Sequence, residues 1–266
     1  MLLINAELLK DIDNEFESLI KKNTRIKALY QKAAKGSTDF RDCSDFAIEL
    51  GKELSKAFGT NISPTILPDG KMTFSIASEV VKPELVKGFD YTASYFNTVQ
   101  ESFYKSKKLN IKGAPPDFNE SRIDGFIEKL TSDEYAAVSW ILEDPAYITN
   151  ALEAVVDTGI KNNVGLLGES GIRAKIVREV DGGACPWCMN LAGEYDYPVN
   201  DEVYRRHRDC HCKVTYEVPD GFRQDVWSKR TWQVDEEVDA RKRFEYAKQT
   251  LSPDKARELE NILLNN

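Results

Sequence analysis

Apolar positions along the first part of the chain repeat every three to four residues. Leu8, Ile12, Phe16 and Leu19, continued by Ile26, Leu29 and Ala33, define one face of a helix over residues 5–35. Lys32 and Lys35 in its last turn, with Gly36 behind them, supply a stop. Phe40, Cys43, Ala47, Leu50, Leu54 and Phe58 form the stripe of a second helix over 38–58, which makes Cys43 a core-filling side chain rather than a reactive one.

Residues 60–75 interrupt this pattern with two prolines and a Pro-Asp-Gly turn signal, reading as a loop or short hairpin. Helical spacing resumes over 77–106, with Pro83 at the start of the helix or at a kink in it. Gly113, Pro115 and Pro116 then stop every regular element, and Asp117 with Glu120 opens a capping-box-like helix to Leu130. Thr131 or Ser132 caps a further helix ending near Asp144. Pro145 fits the first turn of another, reaching about residue 163 with Ile148, Leu152, Val155 and Ile160 as its stripe.

The period shortens at IRAKIVREV, residues 172–180, where alternation and β-branched side chains predict a strand. CKVTYEV, residues 212–218, alternates likewise and reads as a returning strand. A hairpin-like pairing of the two brings together the cysteine pairs beside them. From Val234 onward charge dominates with sparse apolar anchors, a helical tail broken at Ser252 and Pro253.

Those cysteines are the chain's densest chemistry. Four of its five cysteines and both histidines lie within residues 184–216. Cys185 and Cys188 form a C-x2-C knuckle, and His207, Cys210 and Cys212 follow as H-x2-C-x-C. Two thiolates at one vertex and a second pair some way on complete the tetrahedral sulfur-rich site that Zn²⁺ prefers. Five donors compete for four positions, leaving Cys210 or His207 outside the coordination sphere. In an extended segment His211 points away from both cysteines beside it.

Competing chemistries each lack a component. A thioredoxin-like centre at Cys185-Pro186-Trp187-Cys188 needs a βαβ setting and leaves Cys210 and Cys212 without a role. A zinc deaminase needs a histidine upstream of the first cysteine pair, and none precedes Cys188. A catalytic zinc keeps one position open for water, whereas here donors exceed positions. The expectation is a closed structural Zn²⁺ site and no enzyme.

Composition narrows the setting. At 266 residues, 41% hydrophobic and 30% charged, the chain buries a core without disulfides and is not a disordered tail. No apolar run approaches the roughly 18 residues of a membrane span. The start, MLLINAELLKDIDNEF, lacks a basic n-region, and Asn5 and Glu7 break its apolar run, so a cytoplasmic origin is expected. There, clustered cysteines are metal ligands or catalytic thiols more often than disulfides.

A net charge of −8 argues against a surface that coats nucleic acid as a whole. Between Tyr204 and Arg230, however, seven Lys or Arg face four Asp or Glu. Arg205, Arg206, Arg208 and Lys213, with Arg223 and Lys229, are the residues through which that patch would contact phosphate. Its plainer reading is the solvated face of a small zinc module. Trp187, Tyr195, Tyr197, Tyr204, Tyr216 and Trp227 read as that module's own small core.

The expected fold is mainly α. It comprises a long-helix scaffold, a small C-terminal zinc-clipped β-hairpin module and a terminal helix. The divisions fall at residues 1–116, 117–171, 172–232 and 233–266.

One resemblance adds to this. Lys175-Ile-Val-Arg178, Cys185-x-Trp187-Cys188, Leu191-Ala-Gly193-x-Tyr195-x-Tyr197 and Val203-Tyr-Arg-Arg-His207-x-x-Cys210-x-Cys212-x-Val214-x-Tyr216 occur in that order, followed by Gln224-Asp-Val-Trp-Ser-Lys229. Together these segments resemble the minor head (minor capsid) proteins of tailed phages of Gram-positive bacteria, relatives of the Mu F-like head morphogenesis proteins. Arg122-Ile-Asp-Gly125 is a weaker echo. The specific part spans about residues 172–230. The simplest Mu F-like proteins lack the first cysteine pair, so the resemblance is to a cysteine-rich branch.

The resemblance implies a virion component in few copies, made in the host cytoplasm and placed at the portal or the capsid interior. Its partners would be portal protein, major capsid protein or both, and phage DNA. Its task would be head assembly, packaging or DNA delivery, with no membrane or small-molecule substrate. Readings from other classes are a zinc-dependent nucleic-acid-binding factor and a thiol-disulfide oxidoreductase.

Overall fold

The computed structural model describes residues 2–180, 183–207, 210, 212–219, 257, 259 and 261, with side chains from Asn5 onward. Two helices, α1 (Leu2–Lys22) and α2 (Thr24–Ala34), occupy the stretch expected to be one. Asn23 divides them. Its backbone is extended, and its side chain accepts hydrogen bonds from the amides of Arg25 and Ile26 at 2.9 and 3.0 Å, capping α2. Apolar spacing does not register such a side chain competing for backbone amides.

Helix α3 (Phe40–Asn61) follows, opened by a capping box between Asp39 and Asp42. The Pro-Asp-Gly signal forms one 3-10 turn, Pro68–Gly70, and no hairpin. Next come α4 (Phe74–Ile76), a π turn over Ala77–Val81, and α5 (Lys82–Ser106), with Pro83 in the first turn of α5. Pro83 has no amide to donate, and the irregular turn lies directly upstream of it.

Two expected caps are reassigned. Helix α6 (Glu120–Leu130) is capped by Asn119, whose Oδ1 accepts from the Arg122 amide at 3.0 Å, not by Asp117. Thr131 and Ser132 close α6 by donating to its last carbonyls instead of opening a new helix. The single helix expected before Asp144 is two one-turn pieces, α7 (Tyr135–Val138) and α8 (Trp140–Glu143). Asp144 caps α9 (Pro145–Glu169), which runs past the expected end at 163.

The remaining elements are β1 (Lys175–Glu179), the short α10 (Pro186–Asn190), β2 (Gly193–Asp196), a 3-10 turn over Asp201–Tyr204, and β3 (Lys213–Glu217). The three strands form an antiparallel sheet in the order β2-β1-β3. The expected pairing of 172–180 with 212–218 is the β1–β3 ladder, in which Ile176 faces Tyr216 and Glu179 faces Lys213. Strand β2 is short and mostly exposed, and the hydrophobic pattern carries no sign of it.

Helix α3 packs against α1, α5 and α9, and the sheet lies on the same core. Tyr216 stacks on Phe40 with ring centroids 4.7 Å apart, meets Phe103 edge-on, and donates its hydroxyl to Gln100 at 2.8 Å. The expected private aromatic core of the module is therefore not formed. Tyr216 joins the helices, Tyr195 and Tyr204 pack from the edge, and Trp187 and Tyr197 stay 38% and 40% exposed. Three short strands with one apolar face need an outside layer to bury it.

Trp227 and most of 233–266 lie outside the described residues. Of that tail, Arg257, Leu259 and Asn261 are helical, and Leu259 is buried in the common core. Among the described residues no helix is long and apolar enough to cross a membrane.

Candidate metal centre

The β1–β3 pairing explains why two distant cysteine pairs meet. The end of β1, at Glu179, lies beside the start of β3, at Lys213. The chain leaving β1 therefore delivers Cys185 and Cys188 to the place where Cys210 and Cys212 lead into β3. Cys185 caps α10, its Sγ accepting the Cys188 amide at 3.5 Å, and one helical turn carries Cys188 alongside.

Five donors converge. His207 Nε2 lies 3.2 Å from Cys185 Sγ and 2.9 Å from Cys188 Sγ, and Cys188 Sγ lies 3.7 Å from Cys210 Sγ. They fall into two overlapping triads, Cys185–Cys188–His207 and Cys188–Cys210–Cys212, each with its donor atoms within 4.8 Å of one another. Cys188 belongs to both. Cys188, Cys210 and Cys212 are buried, Cys185 and His207 half-buried, and none of the five cysteines is in a disulfide. Cys43 sits apart in the helical core, as its stripe predicted, with burial pushing its thiol well up.

The donor chemistry fits a metal ion. Burial, reinforced by the neighbouring sulfurs of Cys212 and Cys210, pushes the Cys188 thiol well above its ordinary value, and burial also raises Cys212. Packed thiolates repel one another in a dry site, and a bound divalent cation reverses that balance. Cys185 is displaced the other way, its thiolate favoured chiefly by the Cys188 amide. A sulfur-rich set with one imidazole suits a borderline-soft metal rather than calcium or magnesium.

The loop carrying His207, Cys210 and Cys212 is fastened to α9. Arg206 pairs with Asp157 through two nitrogens, with Glu153 at 2.9 Å, and donates to the Cys212 carbonyl at 2.7 Å. These three charged side chains are 1–3% exposed. Asn150, also on α9, donates to the His207 carbonyl at 2.6 Å. Trp187 meets the His207 ring edge-on at 5.6 Å.

The four cations considered for phosphate contact do not form one face. Arg206 is buried in the ion cluster just described, and Lys213 pairs with Asp45. Arg205 is exposed, while Arg208, like His211, Arg223 and Lys229, lies outside the described residues.

The sequence reading missed Glu153, Asp157, Asn150 and Arg178. Glu153 and Asp157 stand one turn apart on a helix that is otherwise largely apolar, a legible anomaly. Arg178 shares the inward face of β1 with Ile176, which strict alternation reveals. No protein-family model, curated protein or solved structure matches the chain.

Proposed function

We propose that the chain is a non-catalytic structural component of a tailed-phage or prophage head, a minor head protein at the portal or inner capsid, built around a closed Zn²⁺ centre. The observation that carries the metal reading is the convergence of Cys185, Cys188, His207, Cys210 and Cys212, more donors than a tetrahedral ion needs. The ordered residues between those donors, which resemble the phage minor head proteins, support the assignment to a head. The zinc would be held by four of the five donors and would stabilise the sheet region, since its ligands assemble only on folding.

The long helices and their charged outer faces are the surface offered to portal or capsid protein. The engagement of Arg206 and Lys213 within the fold weakens the nucleic-acid alternative.

Elemental analysis with staged thiol alkylation tests the centre. About one zinc per chain is expected. The cluster thiols should stay unreactive until chelation, and the core thiol of Cys43 until denaturation. A metal-free chain with a Cys185–Cys188 disulfide would overturn the centre in favour of redox chemistry. Co-expression with portal and shell proteins of the same phage tests the role. Retention on a portal ring is expected, and indifference to both, with DNA binding that collapses as salt rises, would favour the nucleic-acid reading.

A further inference from the structure

Arg178 is 2% exposed and lies on the inward face of the central strand. Among the described residues no carboxylate pairs with it. A guanidinium keeps its charge in any fold, and burying one without a counter-anion is strongly unfavourable because its hydration is lost with nothing to replace it. Its donors show where the compensation lies. Nη1 donates to the carbonyls of Val203 and Arg205, at the head of the loop that carries His207. Nη2 points at sulfur, 4.0 Å from Cys188 Sγ and 3.8 Å from Cys210 Sγ.

The guanidinium carbon, Cζ, also lies 5.6 Å from the centroid of the Trp187 ring, which itself meets His207 edge-on. Nε is buried and unpartnered, so the side chain is held by its two terminal nitrogens.

We propose that Arg178 is the counter-ion and positioning residue of the metal centre, holding Cys188 and Cys210 as metal-bound thiolates from across the sheet. The proposal rests on the metal reading above. A divalent ion bound by three thiolates and one imidazole carries one net negative charge, and by four thiolates two. Either ligand set leaves an anion in a buried place, and Arg178 is the buried cation directed at it. Neutral thiols would offer this guanidinium only weak acceptors. Two of the five donors are thereby assigned: Cys188 and Cys210 belong to the coordinating set whichever of the others complete it.

The hold of its Nη1 on the carbonyls of Val203 and Arg205 adds a second task. The same group that neutralises the sulfurs sets the height of the loop bringing His207 to them. Outer partners of this kind alter metal affinity by about 10–100-fold.

Cobalt-loaded protein supplies the test, because a thiolate-to-cobalt charge-transfer band reports the electron density on sulfur. Wild type, Arg178→Met and Arg178→Lys are each titrated with Co²⁺ and then competed with a chromophoric chelator, with circular dichroism confirming the fold. Arg178→Met should keep the stoichiometry, lose about 10–100-fold in affinity and move its band to longer wavelength. Arg178→Lys, which keeps the charge but not the fork, should recover part of both. A folded Arg178→Met with unchanged affinity and band would show that the residue only packs the sheet.

A wild-type measurement covers the case in which the variant does not fold. As chelator is titrated into the zinc-loaded chain, Cys188 and Cys210 should become open to alkylation more slowly than Cys212, which is about as buried but not a hydrogen-bond acceptor of Arg178. Equal rates would overturn the proposal. If wild type itself shows no thiolate-to-cobalt band, the metal reading fails and Arg178's role with it; a normal wild-type band unchanged in Arg178→Met removes Arg178's role alone.

Discussion

Glu153, Asp157 and Arg206 place two carboxylates against one guanidinium inside the protein. Burial pushes the Glu153 carboxyl up to about 7, against the pull of Arg206, with the neighbouring Asp157 charge adding to the rise. A carboxyl raised from its ordinary 4.5 holds its proton longer in the folded chain than in the unfolded one. Its favourable contribution is thus full below pH 4.5 and is lost as pH climbs toward 7. Urea unfolding of wild type across that window should show stability falling, and Glu153→Gln should flatten the slope. An unaltered slope would remove Glu153 from that role. Arg206→Ala, which strands both carboxylates, should destabilise by about 3–5 kcal/mol in the same assay.

Residue identity alone made the donors of the metal centre visible, because cysteine spacing is local. Arg206 illustrates the opposite. In the sequence it is one of several basic residues in a charged stretch, and only the fold turns it inward onto α9.

At the scale of elements, helix positions follow apolar periodicity and their ends follow polar side chains. The stripes of α3 and α9 are readable, whereas the break at Asn23, the cap at Asn119 and the closing role of Thr131 depend on single hydrogen bonds. The contact of α3 with α9 is close at Gly51, where an added Cβ would stand 2.8 Å from the Thr149 Cα. Alanine there gains about 0.5–1 kcal/mol in helix propensity but meets backbone that cannot rotate away, and overpacking costs about 1–3 kcal/mol. Overpacking wins, so Gly51→Ala should lose stability in urea unfolding despite the better helix former. An equally stable variant would show that α3 and α9 separate more easily than their packing implies.

At the scale of the molecule, one buried cluster takes in residues from the long helices, the sheet and Leu259. From β3 the side chains of Tyr216 and Val214 pack into the cluster built by the helices, and Arg206 and Asn150 tie the ligand loop to α9. The sheet region therefore should not melt by itself. Thermal unfolding followed at separate wavelengths for helix and aromatic signals should give coincident transitions, moved to lower temperature together by a chelator. Two separated transitions, with only the aromatic one sensitive to chelation, would show an independent module.

The sequence by itself determined the mainly helical class, the strands at 172–180 and 212–218, the core place of Cys43 and the five donors, because each is written in spacing over a few residues. Only the tertiary structure decided that Tyr216 serves the helices, that Arg206 faces two acids and that Arg178 faces two sulfurs. Those partners lie 10 positions apart along the chain for Arg178 and Cys188 and 116 for Gln100 and Tyr216, and further still for Phe40 and Tyr216. Periodicity fixes which face a side chain occupies; what stands opposite that face is set by packing among elements that the local pattern leaves independent.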